Sequence, residues 1–156
     1  LVDGKINYTG VREITQADFE ETSKRTRLQL NDILIGNTGA SIGKVALVDD
    51  VEKYKRTTFQ KSVAIVTVDP KVITHEYLKF YLQLNKDHLT HISSGSSQKN
   101  LLLSQLRELP IITPPIALQQ VFVQSMGNIE KGHSTLKKTA TKNKLLFDNI
   151  LTTTFS

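Results

Sequence analysis

Cysteine and tryptophan are absent from the 156 residues, methionine occurs once, at Met126, and proline four times. Without cysteine there is no disulfide and no thiolate metal site, a composition that suits a reducing compartment. No apolar run approaches the roughly 20 residues of a membrane-spanning helix. The chain opens on Leu1 and its single methionine is internal, so a piece of a longer protein is expected. Catalytic patterns are scarce too. Gly39 to Lys44 looks like a phosphate-binding loop, but its spacing is one residue short and Val45 stands where Ser or Thr should hold magnesium. No nucleophile elbow occurs. His88 and His91 lie three apart beside Asp87 without a clear further ligand, so no metal is expected. Asp50 and Glu52 with Lys53 are the only loose carboxylate cluster of the kind a metal-dependent nuclease needs. Catalysis by this chain alone is not expected.

Charge is uneven. The net charge is +5 with a pI near 9.4, a mild surplus that supports nucleic acid only weakly on its own. Up to residue 50 acids slightly outnumber bases, and from there onward bases dominate: Lys53, Lys55, Arg56 and Lys61 come within nine residues. Lys24, Arg25 and Arg27 fit either a solvated loop or phosphate contact.

The run from Ile116 to Phe155 contains no proline. Phe122, Ile129, Leu136, Asn143 and Ile150 stand seven residues apart and make one column. Met126, His133, Ala140 and Phe147 make a second, each four residues after a member of the first. Apolar residues alternating at spacings of four and three form a narrow seam on a helix. Such a seam calls for a partner helix, the alternative being an amphipathic helix packed on its own domain. Asn143 and His133 interrupt it, and polar seam residues fix register. Pro114-Pro115 separate this helix from everything before it.

Along the rest of the chain, Lys5 to Gly10 and Val11 to Ile14 read as short strands. Thr15 with Asp18 predicts a helix start, continuing to about Ser23. Asp32 to Ile35 and Val45 to Val48 read as strands joined through glycine turns into an antiparallel corner. Thr57 to Gln60 is expected to return to the sheet, and Ser62 to Val68 to be its central buried strand. Thr74 caps a helix whose buried stripe is Tyr77, Leu78, Tyr81, Leu82 and Leu84. Ser93 to Asn100 has no apolar side chain. It reads either as a flexible linker or as a segment able to bond phosphates and base edges. Leu101 to Leu106 is a short helix, and Leu109 to Thr113 is extended.

Five stretches then occur in order: Asp32-Ile-Leu-Ile; Gly39-Ala-Ser-Ile-Gly43-Lys44-Val-Ala; Tyr77-Leu-Lys-Phe-Tyr81-Leu82; Gly95 to Asn100; and Leu109-Pro-Ile-Ile-Thr-Pro-Pro115-Ile-Ala-Leu-Gln119-Gln120. Over nearly its whole length the chain resembles the specificity (S) subunit of type I restriction–modification systems, in a half-length form. Leu118 stands where the family often has glutamate, a departure that touches the helix start rather than DNA reading.

The resemblance implies an α+β fold: a mixed, mostly antiparallel curved-sheet target-recognition domain, residues 1–113, lacking its start. One long coiled-coil-type spacer helix, residues 114–156, follows. The implied role is to read half of a bipartite site in double-stranded DNA as a non-catalytic subunit in the prokaryotic cytoplasm. The implied partners are a modification subunit using S-adenosylmethionine and a restriction subunit using ATP and magnesium, with no cofactor held by this chain. A homodimer, or pairing with a second recognition half, through antiparallel helices follows, with Phe122, Met126, Ile129, Leu136, Asn143, Phe147 and Ile150 in the seam. DNA contact is expected from Tyr8 and Arg12, from Lys44, from Lys55 and Arg56, and from Ser94, Gly95, Ser96, Ser97, Gln98, Lys99 and Asn100. Arg56 and Gln98 suit base edges, and Lys44, Lys55 and Lys99 suit phosphates. The alternative is a coiled-coil protein-interaction module without nucleic-acid binding; a metal-dependent nuclease using Glu52 is a third reading.

Overall fold

A computed structural model describes residues 1, 4–93 and 99–154. Two compact units are present, Leu1–Gln119 and the residues from Gln120 onward. The first is a mixed α+β unit with a small open antiparallel sheet; the chain ends in one long helix. The elements are α1 (Gln16–Thr26), β1 (Ile33–Gly36), β2 (Val45–Leu47), β3 (Val63–Val66), α2 (His75–Leu84), α3 (Lys86–Ile92), α4 (Leu103–Arg107) and α5 (Ile116–Thr154). Short 3-10 turns occupy Gly39–Ser41 and Tyr54–Arg56.

The sheet order is β2-β1-β3, with both pairings antiparallel. Ile33, Leu34 and Ile35 are at most 1% exposed, so β1 is covered on both faces and is the central strand. The expectation that Ser62 to Val68 holds the centre is corrected. β3 lies at an edge, and apart from Ala64 its residues are only half-buried. An apolar run reports burial but not which neighbour a strand takes. Asp32, just before β1, is buried. Its carboxylate accepts the Gln29 N–H at 2.7 Å and the Thr67 hydroxyl at 2.6 Å, which ties β1 to the residue just after β3 and satisfies a charge that burial would otherwise penalise.

Three other strand expectations fail. Only Gly4 and Lys5 make strand-like bridges at the N-terminus, Gly4 opposite Ala46; the segment then turns, with the Asn7 side chain accepting the Thr9 N–H at 2.8 Å. Residues 11–14 are irregular, with Val11 and Ile14 exposed. Thr57 to Gln60 are irregular as well. None of these pairs along a ladder, and isolated extended segments do not make strands.

Local capping works as the sequence implies. Thr15 accepts the Asp18 N–H, and Thr74 accepts that of Tyr77, at the starts of α1 and α2. In α2 the buried residues are Tyr77, Leu78, Phe80 and Leu82, whereas Leu84, at the last position of the helix, is exposed. The core joins Ile33, Ile35, Val45, Leu78, Leu82, Leu89 and Leu101, so sheet, α2, α3 and the residues before α4 share it. Tyr77 and Tyr81 donate to the carbonyls of Ile112 and Pro110 at 2.9 and 3.2 Å. The extended segment before α5 is thereby held on α2.

Helix α5 starts at Ile116, directly after Pro114-Pro115, where the missing proline N–H groups remove no intrahelical hydrogen bond. Pro115 O accepts from Leu118 and Gln119. Its 39 residues give a length of about 58 Å at 1.5 Å per residue. Among the described residues no helix is long and apolar enough to cross a membrane.

Candidate nucleic-acid interface

The basic residues at 53–56 sit on a turn that the chain braces from within. Asp50 is the brace. Its carboxylate accepts the backbone N–H groups of Glu52 and Lys53 at 3.1 and 3.0 Å, and Lys53 Nζ lies 3.2 Å from its other oxygen. The Lys53 backbone N–H, first among these, holds the Asp50 carboxyl below the usual carboxylate range. The Tyr54 N–H returns to Asp50 O, and the Thr57 hydroxyl closes on Lys53 O at 2.7 Å. Lys55 and Arg56 are exposed on the resulting 3-10 turn. A braced backbone presenting two exposed cationic side chains suits anionic groups, and the Arg fork also suits a base edge.

Tyr8 joins this turn from far away in sequence. Lys53 Nζ stands 4.8 Å from the centre of the Tyr8 ring, a cation–π contact. Leu47 N donates to Gly4 O at 3.2 Å, so the segment carrying Tyr8 begins beside β2. The Tyr8 hydroxyl is buried without a hydrogen-bond partner among the described residues. Arg12, four residues on, is exposed.

A second polar region surrounds Asn37. Its N–H donates to Ser62 O at 3.0 Å, its carbonyl accepts from Leu101 N at 2.8 Å, and its amide reaches Lys61 O at 3.4 Å. Thr38 pairs with Asn100, and Gly39 N donates to Lys99 O at 3.0 Å. Lys99 and Asn100 are therefore seated on the residues following β1, with Lys99 exposed. Ser94, Gly95, Ser96, Ser97 and Gln98 lie outside the described residues. Lys44 is exposed just before β2, where its carbonyl accepts from Gly36 N.

Sequence reasoning did not single out Asn37, reading it only as part of a glycine turn; its partners lie 24 residues or more further along. Nor did it assign Lys53 the role of linking Tyr8 to the basic turn. Among the described residues no group of three or more His, Asp or Glu side chains gathers in a way that could hold a metal ion. The Asp50 carboxylate is already engaged by its own turn.

In the second unit every residue from 128 to 150 is exposed. Ile129, Phe147 and Ile150 are each 62% exposed and Leu136 71%; Phe122 and Met126 are half-buried. The seam is thus largely uncovered in the single chain.

A family model described as type I restriction modification DNA specificity domain matches residues 1–146. Among solved structures, the type I restriction-modification system S subunit from M. genitalium is similar with a TM-score of 0.52 at 21% sequence identity. The similarity covers 65% of this chain and 26% of that one, and at this identity it is a likeness of fold.

Proposed function

The chain belongs to the type I restriction modification DNA specificity domain family, and from that premise we propose that it is a half-length, non-catalytic specificity subunit. Residues 1–113 read one half of a split site in double-stranded DNA, and residues 114–156 form the spacer. The observation that carries this reading is the extent of the family match, which takes in the sheet-bearing unit and most of α5. The exposed seam of α5 supports the second part: two copies pair through antiparallel helices and set the distance between two reading units.

Within the reading unit, Arg56 and Gln98 address base edges, while Lys44, Lys55 and Lys99 address phosphates. Tyr8, Arg12, Ser94, Gly95, Ser96, Ser97 and Asn100 are further DNA contacts. A modification subunit supplies S-adenosylmethionine chemistry and a restriction subunit supplies ATP- and magnesium-dependent cleavage; this chain docks both.

The test is to express the chain with its modification subunit and sequence the methylated positions of the host DNA. Two identical reading units related by a twofold axis read an inverted repeat with a fixed gap. The expected result is therefore one gapped palindromic motif. Two unlike half-sites would overturn the pairing of identical copies, and unchanged methylation would overturn the DNA-reading role. In a second measurement, changing Ile129 and Leu136 to Asp should abolish dimers in sedimentation while leaving the first unit folded.

A further inference from the structure

The flanks of the α5 seam carry a pattern of their own. One residue after Ile129, Leu136 and Asn143 of the first column stand Glu130, Lys137 and Lys144. One residue before members of the second stand Gly132, Thr139 and Leu146. In a helix with a seven-residue repeat these two sets border the seam on opposite sides. Gly132 is unexplained by its own chain. A Cβ built there meets nothing within 4 Å, and glycine disfavours a helix interior relative to alanine.

A second copy laid antiparallel on the seam sets a first-column residue of one chain against a second-column residue of the other. One register matches every feature. With Leu136 opposite Ala140 of the second copy, a large residue meets a small one. Asn143 then faces His133, so the two polar interruptions meet each other instead of apolar side chains. Glu130 comes beside Lys144 of the second copy, and Gly132 leaves room for Leu146, which is 51% exposed in the single chain. Twofold symmetry repeats each contact. Sliding by one heptad one way sets Glu130 beside Lys137 but puts His133 against Leu136 and Asn143 against Met126. Sliding the other way brings Lys137 beside Lys144 and puts Asn143 against Ala140 and His133 against Ile150, so only the first register joins the two polar residues. A parallel pair offers no Glu–Lys contact at all, since its flanks match Thr139 with Lys144 and Gly132 with Lys137.

We infer that α5 pairs with α5 of a second copy in this one antiparallel register, fixed by Asn143 against His133, with Glu130 beside Lys144. The inference rests on the proposed pairing of half-subunits and adds the register that sets the gap between reading units. Its one unfavourable contact is Lys137, which meets Lys137 of the second copy at the twofold axis.

The native chain lacks cysteine, so an introduced thiol is unique and a short bis-maleimide reports its neighbours. In the full chain, Lys137→Cys is expected to cross-link to itself across the dimer. Glu130→Cys alone should not, because the two Glu130 positions lie roughly 21 Å apart along the axis, whereas Glu130→Cys with Lys144→Cys should. Self-cross-linking of Glu130→Cys or of Lys144→Cys alone would overturn the register and leave the dimer standing. Charge reversal gives a second reading. Glu130→Lys should weaken dimerisation on the order of tenfold, and Glu130→Lys with Lys144→Glu should restore it. Failure of the double reversal to restore it would overturn the charge pairing. Monomeric native chain in sedimentation would overturn the pairing proposed above, and this inference with it.

Discussion

Gln119, fully buried in the first turn of α5, is bonded to Thr74, 45 residues earlier: the Thr74 N–H donates to Gln119 Oε1 at 2.8 Å. Its Nε2 donates to Val72 O at 3.0 Å and to Pro114 O at 2.8 Å. One amide therefore satisfies a donor at the cap of α2 and two carbonyls, and fixes where α5 begins. Leu at this position would fill the space but leave all three groups without that partner. Gln119→Leu should lower stability by about 2–4 kcal/mol, the penalty of several buried polar groups left unpaired. Gln119→Glu should do at least as much damage, since it turns an oxygen toward two carbonyl oxygens. Urea denaturation followed by circular dichroism measures both; a loss under about 1 kcal/mol for Gln119→Leu would mean that water replaces the amide.

Gly36 ends β1 where the chain folds back on itself. Its N–H donates to Lys44 O, and its carbonyl accepts from Gly43 N. An added Cβ would lie 2.2 Å from the carbonyl oxygen of Ser41, a backbone atom that cannot rotate away. Gly36→Ala should therefore destabilise by about 3 kcal/mol, the upper end for overpacking. Gly39, with φ of +50° and open space around it, should lose only about 1–2 kcal/mol on the same change, through backbone strain alone. Paired denaturation curves test the ranking, which a larger loss for Gly39→Ala would reverse.

The reach of the sequence depended on how local each interaction is. Thr15 and Thr74 were legible as caps because their partners are three residues away. The apolar Ile33-Leu34-Ile35 was legible as a strand, and the seam of α5 as a period. By contrast, β1 being central, and Ser62 to Val68 supplying an edge, depends on which strand covers which, and alternation does not encode that. Gln119 was visible as part of a Gln-Gln pair, but its partners Val72 and Thr74 carry no sequence mark. The same holds at the site. Lys55 and Arg56 stood out by charge. The Tyr8–Lys53 contact and the seating of Lys99 and Asn100 beside Thr38 and Gly39 are long-range facts that only folding brings together.

Tyr77 gives the fold a pH dependence. Burial, and secondarily the neighbouring Tyr81 phenol, push its hydroxyl above the ordinary tyrosine value; that hydroxyl donates to Ile112 O at 2.9 Å. A raised folded value means that the folded chain holds this proton more tightly than the unfolded chain. The contribution is complete below about pH 10, the unfolded value, and is lost as pH rises through the folded value. Stability of the native chain should therefore fall above about pH 10 more steeply than that of Tyr77→Phe. At neutral pH Tyr77→Phe should be weaker by about 1 kcal/mol for the lost hydrogen bond. Denaturant midpoints measured for both chains from neutral to alkaline pH check the difference; parallel curves would mean that other groups carry the alkaline loss.

Arg56 and Lys99 should separate in their effect on DNA binding. Both are exposed, and the hydrogen bonds that place them run through backbone atoms or through Asp50 and Thr57. Replacing either side chain with alanine therefore leaves its seat intact: Gly39 N still donates to Lys99 O, and the 3-10 turn keeps its Asp50 brace. A lysine on phosphate contributes equally to every sequence. Lys99→Ala should weaken cognate and unrelated DNA alike and reduce the slope of log affinity against log salt by about 0.9. An arginine on a base edge discriminates. Arg56→Ala should cost about 1–3 kcal/mol on the cognate site, far less on unrelated DNA, and relax the preference at one base pair of each half-site. Salt-titrated binding of the assembled complex to a panel of singly substituted sites checks both. If Lys99→Ala harms only one sequence while Arg56→Ala harms all equally, the two roles are exchanged: the residue bonded to Gly39 reads a base, and the braced turn grips the backbone.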